Sequence, residues 1–175
     1  MLKGTNIRIR PLEKEDLDCF YLWLQDQTHL GEFMDMQMVY KEQFFELFNK
    51  SIGNPSRFYA IIEDKEGKPL GEINFIRVLG SSTTLEIGLL IAEKSARGKG
   101  IGTESLRLFV NYLFKTQNIM RIQYKTRVDN IGMKKIGEKI GFQQEAILKK
   151  YEFVQGDYRD FYLMAITRDN WKLDE

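Results

Sequence analysis

Cysteine is almost absent from this 175-residue chain: Cys19 is the only one, which excludes an intrachain disulfide and a zinc site built on cysteines. It reads as a small core residue of the first helix rather than a nucleophile. Histidine is equally scarce. His29 is the only one, nothing in the sequence pairs with it, and it reads as a loop residue. No charge of one sign dominates, because 26 Lys and Arg stand against 25 Asp and Glu. A net charge of +1 makes no case for a nucleic-acid partner or a membrane surface. The N-terminus is polar, with no apolar stretch long enough for a signal or a membrane span. No repeat and no Pro/Gly/Ser-rich linker divides the chain. These absences imply one domain over residues 1–175, long enough to bury a core, and they suit a reducing cytoplasm.

What is present is a readable order of elements. Asn6 to Leu12 alternates as a strand, and Glu13 to Asp26 is helical, with Leu17, Phe20, Trp23 and Leu24 on one side. Gln27 to Tyr40 has weak periodicity and reads as a loop or broken helix. Lys41 to Ile52 is a second helix, with Phe44, Phe45 and Phe48 at helical spacing. Three strands follow, at Arg57–Glu63, Pro69–Leu79 and Thr83–Ala92. The first two are joined by a hairpin turn in which Gly67 supplies the positive φ. A helix from Thr103 to Lys115 leads to a strand at Met120–Val128, which should run parallel to the strand before that helix. Asn130 to Ile140 is a helix stopped by Gly141, and a last hairpin turns around Gln155-Gly156-Asp157. The expected architecture is α/β: a mixed, mostly antiparallel sheet of six or seven strands with helices on both faces.

The stretch that carries chemistry is Arg97-Gly98-Lys99-Gly100-Ile101-Gly102-Thr103, set between an apolar strand and a helix start. Glycines let the backbone curl round an anion, and the first N–H groups of a helix have no partner of their own. This is a phosphate cradle. A P-loop needs a hydroxyl residue after the lysine, but Gly100 follows Lys99. A dinucleotide fingerprint starting at Gly98 would need glycine where Thr103 stands. The spacing that fits is Arg-x-x-Gly-x-Gly, at Arg97, Gly100 and Gly102. It resembles the acyl-CoA-binding loop of the GNAT N-acetyltransferase superfamily.

The resemblance extends from about Ile7 to about Trp171. Arg8 to Leu17 is similar to that superfamily's opening strand and helix cap, and Glu86 to Ile91 to the strand before its loop. Asn130 with Glu138-Lys139-Ile140-Gly141-Phe142 is similar to its later helix and helix exit. Phe153 to Asp160 resembles the last hairpin of the ribosomal-protein-acetylase and spermidine-acetylase branch. What this implies is the GNAT fold and an acetyl-CoA-dependent N-acetyltransferase, with acetyl-CoA as co-substrate and no metal. Acetyl would pass directly to the primary amine of a polyamine-like small molecule or a protein N-terminus. No Cys-His or Ser-His set suggests an acyl-enzyme. The rival reading is a CoA-binding regulatory module with little or no transferase activity. Oligomeric state stays open, including a homo-oligomer.

The resemblance also assigns roles. The amides of Gly98, Lys99, Gly100, Ile101, Gly102 and Thr103 would hold the pyrophosphate, with Arg97 and Lys99 adding charge. Leu89, Leu90 and Ile91 would pair with the pantetheine arm as an added strand, and one of their N–H groups would polarise the thioester carbonyl. Asn130 would cap its helix, bond to the CoA arm, or both. Glu86 would accept the amine proton, directly or through a water. Many superfamily members carry a tyrosine where this chain has Gly137, so the usual acid is missing. Tyr151, Tyr158 and Tyr162 on the last hairpin are the replacement candidates, with Tyr151 preferred. Asp26 to Tyr40, carrying Asp26, His29, Glu32, Asp35, Met34, Met36 and Met38, would lie over the acceptor cleft.

Overall fold

A computed structural model of the chain describes residues 1–172. The strands are β1 (Leu2–Lys3), β2 (Ile7–Pro11), β3 (Arg57–Asp64), β4 (Pro69–Arg77), β5 (Thr84–Ile91), β6 (Arg121–Arg127), β7 (Gln143–Val154) and β8 (Asp157–Thr167). The helices are α1 (Leu17–Gln25), α2 (Gln27–Leu30), α3 (Lys41–Ser51), α4 (Ile101–Thr116) and α5 (Ile131–Ile140). All eight strands form one sheet in the order β1-β2-β3-β4-β5-β6-β8-β7. Every pairing is antiparallel except β5 with β6, the parallel pair expected across the loop and its helix.

The expected count of six or seven strands is one short. The extra strand is β1, two residues that pair Leu2 with Ile9 and Lys3 with Arg8, too short to show a period-2 pattern. The segment 27–40 resolves into the single turn α2 followed by irregular chain. Asp26 starts that turn by accepting from the Thr28 N–H at 2.8 Å. At the first helix, a 3₁₀ turn at Lys14–Asp16 precedes α1, and Asp16 accepts the Glu13 N–H at 2.9 Å.

The apolar residues divide between the two faces of the sheet. On one face, α4 buries Leu106, Phe109, Val110, Leu113 and Phe114 against Ile73, Phe75, Leu85, Ile87, Ile122 and Tyr124. Their three- and four-residue spacing makes one stripe on α4. On the other face, Leu17, Phe20 and Trp23 of α1, Leu30 of α2 and Phe48 of α3 cover Ile61 and Leu90. No helix of the described residues is long and apolar enough to cross a membrane.

One packing detail explains a departure in the sequence. A Cβ at Gly137 would lie 1.9 Å from the Tyr124 hydroxyl and 2.8 Å from its ring carbon. Tyr124 is 2% exposed, and its hydroxyl donates to the Met133 carbonyl of α5 at 3.2 Å. The strand tyrosine therefore fills the volume that any side chain at position 137 would need. Gly137→Ala should lower stability by about 1–3 kcal/mol through overpacking, and Tyr124→Phe in the same chain should recover part of that loss. Chemical denaturation of the two single variants and the double variant measures both quantities; equal stability of Gly137→Ala and wild type would contradict the packing.

Candidate active site

The parallel ladder is short. Thr84, Leu85 and Glu86 pair with Arg121, Ile122 and Gln123, and there the ladder stops. β5 continues to Ile91 beside β4, while β6 continues to Arg127 beside β8. The two strands diverge, and the edge of β5 from Ile87 onward is released from β6. A cleft of about 1010 Å³ opens there, lined by Leu89, Leu90 and Ile91, by Gly98, Gly100, Gly102 and Thr103, and by Asn130. Eight of the eleven residues expected to bind the acyl donor share this one wall; Arg97 also lines the cleft, whereas Lys99 and Ile101 do not.

The loop has the geometry the chemistry requires. Gly98 and Gly100 have φ of +73° and +83°, a region that costs little only for glycine, and a Cβ on either would meet nothing within 4 Å. The concave side of the turn is therefore open to a ligand. Gly100 starts α4 with no side-chain cap, and the first ladder bond runs from the Glu104 N–H to the Gly100 carbonyl at 3.0 Å. The N–H groups of Ile101, Gly102 and Thr103 lie ahead of that bond and point out of the helix start. Gly102 has a separate reason to be glycine. Its Cβ would come within 3.3 Å of Ile136 and 3.7 Å of Leu89, so it lets α4 close against α5 and β5. Together, an open glycine curl, unladdered amides and a helix dipole fit an anionic group such as a diphosphate.

Three expected contributors have surroundings the sequence did not suggest. Arg97 donates from Nε to the Ile91 carbonyl at 2.8 Å and from Nη2 to the Ala92 carbonyl at 3.2 Å, and also reaches the carbonyls of Thr28 and His29. Its guanidinium ties the end of β5 to α2, a role beyond the added charge expected of it, while Arg97 still lines the cleft. Sequence spacing could not show the tie to α2, since Thr28 and His29 lie about seventy residues away. Lys99 is exposed, and Ile101 buries its side chain in the core, leaving only its amide to the loop.

Asn130 caps α5: its Oδ1 accepts the Met133 N–H at 3.0 Å, so its Nδ2 is the donor it can offer a ligand. His29 lies on α2, where its Nδ1–H donates to the Ala92 carbonyl at 3.2 Å. The chain after α2 crosses to the far side of the cleft. Arg127 donates to the Glu32 carbonyl at 2.9 Å and stacks against Phe33, while the Gln155 N–H donates to Asp35 at 3.1 Å. Gln27, Glu32, Phe33 and Met34 thus line the cleft that also holds the glycine loop, not the separate cavity beside Glu86, whereas Met36 and Met38 remain exposed and line neither.

A second cavity of about 540 Å³ lies where the ladder ends, lined by Glu86, Ile87, Lys125, Tyr151, Glu152 and Phe161. Cross-strand register puts Glu86, Gln123 and Lys125 on the same face of the sheet. Gln123 donates to Glu86 Oε2 at 2.9 Å, and Lys125 Nζ lies 3.0 Å from Oε1. Lys125 also donates to the Tyr151 hydroxyl at 2.6 Å. Burial acts against the Lys125 charge, but the Tyr151 and Glu86 contacts outweigh it and hold its pKa above the usual lysine value. Tyr151 reaches this spot because β7 bulges between Leu148 and Glu152, with Lys150 at φ +47°. Asp160 braces the bulge by accepting the Lys150 N–H at 2.8 Å and the Lys149 ammonium at 2.7 Å. Of the three hairpin tyrosines, only Tyr151 enters this cavity. Tyr158 packs edge-on against Phe153, and Tyr162 lies under the Lys134 ammonium.

Sequence reasoning missed Lys125, and also Glu72. Glu72 lies opposite Leu90 in the β4–β5 ladder, is 7% exposed, and accepts from Asn74 Nδ2 at 3.0 and 3.1 Å. Burial pushes its pKa up from 4.5 to about 7, only partly offset by the Asn74 bond. The folded chain holds this proton more tightly than the unfolded chain. Stability is therefore full below about pH 4.5 and falls as the pH rises toward 7, by roughly 3 kcal/mol in all. Glu72→Gln should remove that decline, raising the Tm at pH 8 while changing it little at pH 4.5. Thermal melts at both pH values read the effect, and parallel pH profiles for variant and wild type would contradict it.

Residues 6–143 match the sequence profile of a family described as acetyltransferase (GNAT) domain. A probable N-acetyltransferase, YjcK, of Bacillus subtilis is 27% identical over 95% of this chain and 96% of its own. The [ribosomal protein uS5]-alanine N-acetyltransferase of Escherichia coli is 30% identical over 65% of this chain and 59% of its own. Among solved structures, the spermidine N-acetyltransferase of Vibrio cholerae, in complex with CoA and spermine, superposes with a TM-score of 0.87. It covers 95% of this chain and 98% of that one at 22% identity, a likeness of fold.

Proposed function

This chain belongs to the GNAT acetyltransferase domain family, and on that premise we propose that residues 1–175 form one N-acetyltransferase domain, acetylating a primary amine at the point where β5 leaves β6. The observation that carries the reading is the convergence of an open glycine curl, a helix start and a released strand edge on one cleft. The last hairpin, outside the matched residues 6–143, belongs to the same sheet and brings Tyr151 to the site.

Acetyl-CoA supplies the activated acetyl group. The amides of Gly98 to Thr103 bind its diphosphate. The released edge at Leu89–Ile91 offers main-chain groups to the pantetheine amides, and one N–H there polarises the thioester carbonyl. Asn130 Nδ2 donates to the same arm. Arg97 acts from behind, holding the Ile91 and Ala92 carbonyls so that the strand edge keeps its course.

An acceptor amine must lose a proton before it attacks. Glu86 receives it, through a water, since each of its oxygens keeps a lone pair beyond the Gln123 and Lys125 contacts. The amine nitrogen bonds to the acetyl carbon as the carbon–sulfur bond breaks and the thiolate departs. In this reading Tyr151 returns a proton to sulfur. An ammonium can only donate, so the Tyr151 oxygen accepts from Lys125 and its own O–H points elsewhere. The fold relatives and the ribosomal-protein acetylase support two acceptor classes, a polyamine-like amine and a protein N-terminus.

Thiol release from acetyl-CoA across polyamines, amino sugars and short peptides tests the activity. Tight CoA binding with no release from any amine would favour a regulatory module instead. Gly100→Val should weaken CoA binding at least 10-fold, because it strains φ at +83° and puts a branched side chain into the cradle. Calorimetry on the folded variant measures this; unchanged affinity would remove the loop from the donor site.

A further inference from the structure

We propose that Lys125 is the specificity-determining residue of the acceptor pocket: its ammonium fills the cation seat made by Glu86 and Tyr151, so the pocket selects acceptors with a single basic nitrogen, such as a peptide N-terminus, over polyamines. This rests on the acetyl-transfer reading above.

The seat has the three parts that a protein uses to hold an alkylammonium: a carboxylate, a hydroxyl oxygen and an aromatic face. Glu86 Oε1 lies 3.0 Å from Lys125 Nζ, the Tyr151 hydroxyl 2.6 Å, and the Tyr151 ring centroid 4.9 Å. The lysine enters from β6 and occupies this place itself. The geometry is held from behind, since Gln123 fixes the other Glu86 oxygen and Phe161 packs on the Tyr151 ring at 5.6 Å.

The cavity lies at the reacting end of the site. It is lined by Ile87, the first β5 residue past the end of the ladder, while the donor cleft is lined by Leu89 on the same strand. Two residues of strand span about 7 Å, so the cavity and the donor cleft open beside neighbouring stretches of β5, and an acceptor extending from one toward the other follows the strand edge.

Charge counting then discriminates between acceptors. The cavity is lined by two carboxylates, Glu86 and Glu152, and one ammonium, Lys125. The remaining carboxylate is Glu152, which stands opposite Arg159 in the β7–β8 ladder, so the cavity offers negative charge for one cation at most. Four acids on or just beyond the surrounding strands are engaged by bases, Asp160 by Lys149, Asp157 by Arg159, Asp129 by Arg127 and Glu145 by Arg121, while Glu32 lines the other cleft and Asp35 accepts the Gln155 N–H at the hairpin tip. A polyamine carries a second and third ammonium a few methylenes from the first. Here the nearest carboxylate for them is already neutralised, and Lys125 repels them. A peptide N-terminus brings one ammonium and needs no second carboxylate.

The test compares wild type, Lys125→Met and Lys125→Arg, each first shown folded by its thermal melt. Acetylation kinetics use an alanine-initiated peptide and spermidine. Wild type should prefer the peptide in kcat/KM. Lys125→Met should shift the spermidine-to-peptide ratio at least 10-fold toward spermidine, mainly through KM, and Lys125→Arg should keep the wild-type ratio. Calorimetry of spermidine binding without acetyl-CoA gives a reading independent of turnover, with affinity at least 10-fold higher for Lys125→Met than for wild type. A wild type that favours spermidine, or a Met variant with unchanged ratio and unchanged spermidine affinity, overturns the assignment. If neither amine is acetylated by any of the three proteins, acetyl transfer to these amines fails, and the calorimetric comparison still decides the role of Lys125.

Discussion

Everything at this site depends on a ladder that ends early. Had β5 and β6 stayed paired beyond Glu86–Gln123, the main-chain groups of Ile87 to Ile91 would be consumed by the sheet. The divergence follows from conflicting attachments. β5 is committed to β4 as far as Ile91, and β6 to β8 as far as Arg127, and these neighbours lead the two strands apart. A strand edge released inside a protein is costly if left unsatisfied. Here it faces a cleft, and in the proposed reading a ligand backbone enters there as an additional strand.

The wedge has to be held open, and both of its sides are fastened. Arg97 secures the β5 side by gathering carbonyls from Ile91, Ala92 and α2. Arg127 secures the β6 side by binding the Glu32 carbonyl and Asp129. The segment after α2 spans the opening between them and is tied to the last hairpin through Gln155. Two arginines acting on main-chain carbonyls thus set the width of the cleft, without taking the place of the ligand. Guanidinium suits this work, because it stays charged and offers several donors in one plane.

What was legible in the sequence was local. Gly98, Gly100 and Gly102 declare a turn, Asn130 and Gly141 mark the two ends of a helix, and the order of strands around the loop implies the parallel pair. What was not legible depends on distant partners. Arg97 reads as loop charge until α2 is folded against it. Gly137 reads as a missing tyrosine until Tyr124 arrives from β6 to fill the same space. β1 is too short for any periodic signal. Lys125 is one of many lysines, and only the register of β6 with β5 and the bulge in β7 give it Glu86 and Tyr151 as neighbours.

The exchange at position 137 bears on the chemistry as well as the packing. A tyrosine on α5 could not coexist with Tyr124, and Tyr124 cannot itself serve as the acid. Its hydroxyl is buried and engaged by Met133, and burial, reinforced by Glu138, holds its pKa well above that of a free phenol. Any side-chain proton for a departing thiolate must therefore come from another element, and the hairpin supplies one candidate in Tyr151. That residue shares its hydroxyl with Lys125, which shares its charge with Glu86. Glu86, Lys125 and Tyr151, to which the proposal gives the two proton transfers and the screening of the acceptor, are thus joined in one chain of contacts. A change at any one of the three removes a contact that orients a neighbour, so on the proposed roles acceptor preference and proton transfer are to be measured together.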